Sequence, residues 1–333
     1  MPSGPAAAPL GPYGFLGPKG TFAHAAARAL AAEAAGAAPT GAAPTDHGAA
    51  GVELVPQATV TQAIDAVRQG LVAGAVVPLE NSVEGAVPAT LDELAGSGSR
   101  LVIAAETYLP VVFDLLVRPG TELASIDTIA THPHAEAQVR RYLLTTLPGA
   151  ALALLGSTAA GARAVHDGQY AAAVAPAVAG PLYGLQSLAH DIADSPGAVT
   201  RFVLLTAASA PPPATGNDRT TAVIYLRQDR SGALLEILTE FGARGVNLTR
   251  IESRPTKGRL GQYCFSIDCE GHIGDARVGD ALAALHRICA DVRYLGSYPR
   301  RDGRLGPIPT GRADADFSEA AGWLDRIRTT GTA

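Results

Sequence analysis

From Tyr13 onward, short apolar runs recur with enough chain between them for one helix each, a rhythm that admits few folds besides a layered α/β architecture. The runs are Val52 to Val55, Ala75 to Val77, Val111 to Val117, Thr128 to Ala130, Leu152 to Leu155 and Ala171 to Val174. The Ala-rich windows between them read as helices. Several open on a hydroxyl able to cap them, such as Thr59 with Gln62 three residues on, which matches a capping box.

Two stretches break the rhythm. Residues Ala31 to Gly51 are dominated by Ala, Gly, Pro and Thr and read mostly as a surface insertion, with helical Ala continuing past Leu30 for a turn or two. Ala207 to Asp218 contains Pro211, Pro212 and Pro213, which favour an extended spacer and mark the best domain boundary. Beyond it the pattern reads strand Thr221–Leu226, helix Gly232–Arg244, strand Asn247–Ser253, strand Gln262–Asp268, helix Asp275–Cys289 and strand Val292–Ser297. Leu234, Ile237, Leu238 and Phe241 recur at helical spacing, and Tyr263, Phe265 and Ile267 alternate. This βαββαβ order predicts two helices on one face of a four-stranded antiparallel sheet. After Pro299 the tail is rich in Arg, Gly and Pro, with a short helix expected over Phe317 to Ile327.

At 333 residues and 47% hydrophobic composition, the chain can bury a sizeable core in two or three folded units. The net charge is −5 and the basic residues are scattered, which argues against a nucleic-acid footprint and leaves small molecules as the expected partners. Cys264, Cys269 and Cys289 form neither a zinc spacing nor a disulfide framework, so a reducing cytoplasm fits best. The N-terminus lacks the pattern of a signal peptide, and no apolar run approaches the roughly 20 residues a membrane span needs.

Five segments carry candidate chemistry. Gly17, Pro18, Lys19 and Gly20 stand between a strand and a helix starting at Thr21. Backbone donors, helix dipole and the Thr21 hydroxyl would suit a carboxylate or phosphate, with Lys19 adding attraction; a plain turn is the alternative. Pro78 to Gly85 places Glu80, Asn81, Ser82 and Glu84 where a strand runs into a helix, as ligand contacts or as a turn and cap with the acids in solvent. Thr131, His132, Pro133 and His134 follow one strand, and Ser157 with Thr158 follows another. Paired loop histidines without ligand spacing are caps more often than metal ligands, so no metal is expected. Last, Thr200, Arg201 and Phe202 open an apolar strand, where Arg201 either grips a carboxylate bidentately or pairs with an acid such as Asp194.

The segments GPKGTF, PLENSVEG, THPHAEAQ, STAAGA and DSPGAVTRF occur in the order characteristic of prephenate dehydratases, and the chain resembles that family from Gly17 to Phe202. Gly232-Ala233-Leu234 and Glu252-Ser253-Arg254-Pro255 resemble the two signatures of the phenylalanine-binding ACT domain attached to those enzymes. The resemblance implies a catalytic region over residues 11–207, built as two α/β lobes like a type II periplasmic binding protein, with its second lobe at about 110–178. A Pro-rich linker at 208–219, an ACT regulatory domain at 220–299 with a ferredoxin-like βαββαβ fold, and a tail at 300–333 complete the expected organisation.

By the same resemblance the activity is a cofactor-free hydro-lyase reaction that turns prephenate into phenylpyruvate, carbon dioxide and water, under allosteric control by L-phenylalanine. Thr200 is implied as the residue on which catalysis depends, supported by Arg201 and Phe202. Lys19, Thr21, Asn81, Ser82, His134, Ser157 and Thr158 are implied at the substrate. Gly232, Ala233, Leu234, Glu252, Ser253, Arg254 and Pro255 are implied at phenylalanine, across an interface between at least two subunits. The sequence departs from the family's pattern at His134, usually Gln, at Ala198, usually Asn, and near Ala160, usually acidic. Two other readings remain open: a relative acting on arogenate or a modified prephenate, and a non-catalytic amino-acid sensor.

Overall fold

A computed structural model of the chain describes residues 10–36, 51–96, 100–256, 263–303 and 308–332. The chain divides into two compact units, one holding Ala7–Thr90 and Thr107–Thr206, the other Leu91–Glu106 and Ala207–Ala333.

Two sheets account for the first unit, one of them including a strand whose residues 101–106 fall in the second unit. One uses β1 (Tyr13–Leu16), β2 (Leu54–Gln57), β3 (Gly74–Asn81), β4 (Gly85–Ala86), β5 (Leu101–Pro110) and β11 (Val199–Ala207), in the order β2-β1-β3-β11-β5 with β4 off β3. The other uses β6 (Asp114–Val117), β7 (Thr128–Thr131), β8 (Ala151–Leu154), β9 (Ala172–Ala175) and β10 (Gln186–Ala189), in the order β10-β6-β9-β7-β8. Both share one plan. Three neighbouring strands run parallel, β2-β1-β3 in one and β8-β7-β9 in the other, and an antiparallel strand, β11 or β6, follows beside the last of them. The two lobes are thus copies of one open α/β design, the type II periplasmic-binding-protein architecture expected from the sequence.

Local chemistry explains the helices. α1 (Phe22–Ala34) is capped by Thr21, whose hydroxyl accepts from His24 N, and it buries an alanine-rich face. α2 (Val60–Arg68) is capped by Thr59, while Gln62 reaches back to Ala58 N at 3.2 Å, one residue earlier than a capping box. α3 (Pro88–Ala95) starts on proline, whose fixed φ suits a first turn. α4 (Pro133–Thr146) repeats that device with His132 as cap, and α5 (Thr158–His166) is capped by Ser157. A single turn, α6 (Ala179–Leu182), precedes β10. The second lobe's core of Phe113, Leu115, Val117, Ile129, Val139 and Val174 also includes Ile192 and Ala198.

Several expectations need adjustment. The second lobe does not stop near residue 178: β10 pairs antiparallel with β6, and the chain returns to the first sheet only at β11. The four residues of β10, only partly apolar, gave no strand signal. β5 also escaped the sequence, since Glu106, Thr107 and Tyr108 interrupt its apolar run. Residues 37–50, the larger part of the expected insertion, lie outside the described residues, and α1 continues to Ala34.

In the second unit β12 (Asp218–Tyr225), α7 (Ala233–Gly242), β13 (Leu248–Pro255), β14 (Tyr263–Glu270), α8 (Ala276–Ile288) and β15 (Asp291–Pro299) form an antiparallel sheet in the order β13-β14-β12-β15. Its core joins Ala222, Ile224 and Ile267 of the strands to Ile237, Phe241, Val278 and Leu285 of the helices. The expected spacer at 208–219 ends early. Asp218 opens β12, and its carboxylate accepts from Thr215 N at 2.7 Å and Gly216 N at 3.1 Å, closing a turn before the strand. Buried charge is paired: Asp268 takes two bonds from Arg250 at 3.0 Å, and Arg219 reaches Glu106 and Asp302. The helix expected in the tail is α9 (Asp314–Thr330), longer at both ends, with Asp316 closing its first turn onto Ala313 N.

Candidate active site

The first unit holds a cavity of about 310 Å³ whose walls come from both lobes. Leu16, Gly17, Thr21, Phe22, Asn81, Glu84, Thr200 and Phe202 belong to elements of the first lobe; Phe113, His132, His134, Gln138, Ser157 and Thr158 belong to the second. Three helices begin at its wall, with caps Thr21, His132 and Ser157. Their first-turn N–H groups and dipoles favour negative charge there.

Thr200 is 8% exposed and opens β11 opposite Asn81 of β3. Asn81 Nδ2 donates to Thr200 Oγ1 at 2.8 Å, while Asn81 Oδ1 accepts from Val83 N and Glu84 N at 2.8 and 3.0 Å, fixing the loop that follows. Strand alternation sends Thr200 and Phe202 to the cavity and Arg201 to the opposite face. Arg201, 3% exposed, has Glu80 Oε2 at 3.9 Å. Asp194 is not its partner; that side chain accepts from Arg141 N and Tyr142 N on α4.

Other expected residues have supporting places. Ser82 Oγ accepts from Val199 N at 2.9 Å, stapling the loop after β3 to the start of β11, and does not line the cavity. Lys19 is also outside the lining, and its carbonyl accepts from Tyr183 OH at 3.0 Å. Gly20 makes the turn possible. Its φ of +89° puts it in the left-handed region, and its N–H donates to buried His24 Nδ1 at 3.2 Å. Thr21 donates to Pro18 O at 3.0 Å while capping α1. Ser157 accepts from Ala160 N at 3.0 Å.

The second lobe closes one side through α4. Burial pushes the His132 imidazole below its usual pKa, proximity to His134 pushes further, and Glu84 opposes both. His132 Nδ1 accepts from His134 N at 3.3 Å, the expected capping role. His134 Nδ1 lies 2.6 Å from Glu84 Oε2, and Gln138 Nε2 donates to Glu84 Oε1 at 3.1 Å. Glu84 therefore does not simply face solvent. It joins two residues one turn apart on the facing lobe, a relation that the i, i+4 spacing of His134 and Gln138 carries in the sequence. The apolar side of the cavity includes Phe22 and Phe113, edge to face with centroids 5.4 Å apart. Of the three departures from the family pattern, His134 lines the cavity while Ala160 and Ala198 do not. Among the described residues no cluster of three or more His, Cys, Asp or Glu suits a metal ion, and no helix is long and apolar enough to cross a membrane.

In the second unit Gly232 is itself the cap of α7, with φ of +85°. Ala233 lines a cavity of about 250 Å³ with Arg227, Arg230, Glu236 and Cys289; Gly232, Leu234 and the four residues Glu252, Ser253, Arg254 and Pro255 are not in its wall. Those four lie on β13, an edge strand whose ladder partner is β14. Arg254 donates to Asp92 Oδ1 at 2.6 Å through one terminal nitrogen and at 3.1 Å through Nε. Arg293 donates to the carbonyls of Leu94 and Gly96, and Tyr225 OH to that of Ala95, so this sheet grips the last turn of α3.

A two-lobed α/β unit with helix N-termini converging on a shared cavity, followed in sequence by a βαββαβ module, defines a cleft enzyme carrying an ACT-type domain. The family model for prephenate dehydratase matches residues 13–210 and that for the ACT domain residues 220–287. The prephenate dehydratase of Amycolatopsis methanolica is 46% identical over 315 residues, 94% of this chain and 97% of its own. That of Mycobacterium ulcerans is 47% identical over 314 residues, covering 94% and 95%. The solved structure of prephenate dehydratase from Arthrobacter aurescens in complex with L-Phe is 46% identical, with a TM-score of 0.84 over 96% of this chain and 100% of that one. The chain belongs to the prephenate dehydratase family of hydro-lyases.

Proposed function

We propose that the cavity binds prephenate and that Thr200 assists departure of its ring hydroxyl. The observation that carries this is Asn81 Nδ2 at 2.8 Å from Thr200 Oγ1 on the wall of a cavity ringed by helix N-termini. In the reaction the bond between the ring and its carboxylate breaks, its electron pair moves through the diene, and the carbon–oxygen bond at the far ring carbon breaks. Carbon dioxide leaves, and hydroxide takes a proton to become water as the ring turns aromatic. No electron acceptor or covalent intermediate enters that balance. The residues need only hold two carboxylates and stabilise a departing oxygen.

The N-terminal turns of α1, α4 and α5 and the hydroxyls of Thr21, Ser157 and Thr158 supply the anion contacts. Phe22, Phe113 and Phe202 flank the ring. Arg201 serves by position: buried behind the sheet near Glu80, it supports the strand that presents Thr200. Lys19 and Ser82 hold the turn and the loop that shape the wall. Thr200 polarises the leaving oxygen or relays a proton to it, since a threonine hydroxyl is too weak an acid to surrender its own. Incubating the chain with prephenate and following phenylpyruvate absorbance tests the proposal; absence of product rejects it.

The C-terminal domain is proposed to bind L-phenylalanine through Gly232, Ala233 and Leu234 of one subunit and Glu252, Ser253, Arg254 and Pro255 of another. The edge position of β13 supports pairing of two copies, and the fact that Ala233 lines a cavity to which Glu252 to Pro255 do not contribute supports a site completed by a second. Titration of L-phenylalanine with light scattering tests site and assembly together. With three buried thiols, the cytoplasm is the proposed compartment.

A further inference from the structure

Glu84 is the one carboxylate among the described residues of the cavity wall, and both of its oxygens are engaged from the facing lobe, Oε2 by His134 and Oε1 by Gln138. The rest of the polar wall consists of hydroxyls, Asn81 and His132, with helix N-termini of the same electrostatic sign. Such a wall suits carboxylates and a ketone oxygen. It offers an ammonium group only one strong counter-charge, and that one is spent.

We infer that the Glu84–His134–Gln138 clasp sets substrate preference, selecting a ring substrate with a 2-oxo acid side chain over its 2-amino counterpart by masking the one acidic group in the wall. The inference rests on the reading that the cavity holds prephenate. Prephenate and arogenate share ring, hydroxyl and carboxylates and differ where one carries a carbonyl oxygen and the other an ammonium. A carboxylate whose two oxygens are already held by hydrogen bonds from an imidazole and an amide attracts the ammonium weakly; released, it attracts the ammonium and repels a dianion.

His134 and Glu84 lie at the open side of the cavity, 66% and 39% exposed, so replacing them disturbs little packing. Both are positioning residues here, acting through the charge they leave available. Gln, the family's usual residue at position 134, keeps a donor for Glu84, so the clasp is expected to survive His134→Gln and fail in His134→Ala.

The test measures kcat/KM for prephenate and arogenate side by side, and inhibition of prephenate turnover by arogenate where arogenate turns over slowly. The prephenate-to-arogenate ratio is expected to fall about tenfold in H134A and to stay near the wild-type value in H134Q. Adding E84Q to H134A removes the unmasked charge and is expected to restore the ratio. An H134A ratio within threefold of wild type overturns the inference, and so does a fall that the double variant fails to reverse. Thermal melts of each variant separate lost selectivity from lost folding. If the wild-type chain makes no phenylpyruvate from prephenate, the substrate assignment itself fails, an outcome distinct from an unmoved ratio.

Discussion

Asn81 and Thr200, partners across the antiparallel ladder of β3 and β11, are joined by a 2.8 Å bond in which the amide donates and the hydroxyl accepts. A threonine oxygen that accepts such a bond keeps its own proton for another acceptor. Nothing else on β11 combines an orientable proton with a place on the cavity wall.

Thr200→Val keeps the shape and removes the proton, and phenylpyruvate formation is expected to fall at least tenfold, corresponding to ~1.4 kcal/mol of barrier. Thr200→Ser is expected to retain most turnover. Asn81→Ala releases both Thr200 and the N–H groups of Val83 and Glu84, so kcat is expected to fall more than KM rises. Steady-state kinetics at saturating prephenate check all three, and wild-type turnover in the valine variant would dismiss Thr200.

His132 makes stability depend on pH. Folding holds this base below its ordinary pKa, so the unfolded chain takes up its proton first as the solution is acidified. The associated stability is full above the ordinary imidazole value of about 6.5 and is lost as pH falls through the depressed folded value. Melting temperature recorded from roughly pH 7.5 to 5 is expected to decline less steeply in His132→Asn, which still caps α4. Parallel curves would refute this.

Arg254 illustrates competition between an internal acid and a ligand. Its ion pair with Asp92 is about one-fifth exposed at each partner, and such pairs are worth up to about 1 kcal/mol. If Arg254 also grips the ligand's carboxylate, Asp92→Asn is expected to tighten L-phenylalanine binding by up to about fivefold. Calorimetric titration checks this, and unchanged or weaker binding would argue that the two carboxylates do not compete.

Asp268 is fully buried against Arg250 and Thr221. Asp268→Ala leaves a guanidinium without its counter-charge in the sheet and is expected to cost roughly 3–5 kcal/mol. Chemical denaturation followed by circular dichroism measures the loss.

How legible the molecule was in its sequence varies with the kind of signal. Helix starts were plain at Thr21 and Thr59, because capping is chemistry between residues three apart. The βαββαβ order was plain as well, since Ile237 and Phe241 declare one buried helix face, although Leu234, expected beside them, is exposed. β5 and β10 were hidden, because pairing with distant strands holds them and their own apolar content is weak. The cavity residues Thr21, Asn81, Ser157 and Thr200 stood out as polar side chains at strand ends. The face of β11 that Arg201 takes was not legible, because motif proximity says nothing of which side of a strand a residue takes, and the engagement of Glu84 was hidden because its partners lie fifty residues on.

β11 carries one further consequence. It forms the ladder beside β3 only after more than a hundred intervening residues have been made, and it delivers Thr200 with it. A nascent chain emerging from the ribosome can assemble the second lobe first, yet the Thr200 hydroxyl reaches its place in the same event that brings β11 beside β3. Truncated translation products that end before Val199 therefore lack both that strand and the Thr200 hydroxyl, and are expected to form no phenylpyruvate.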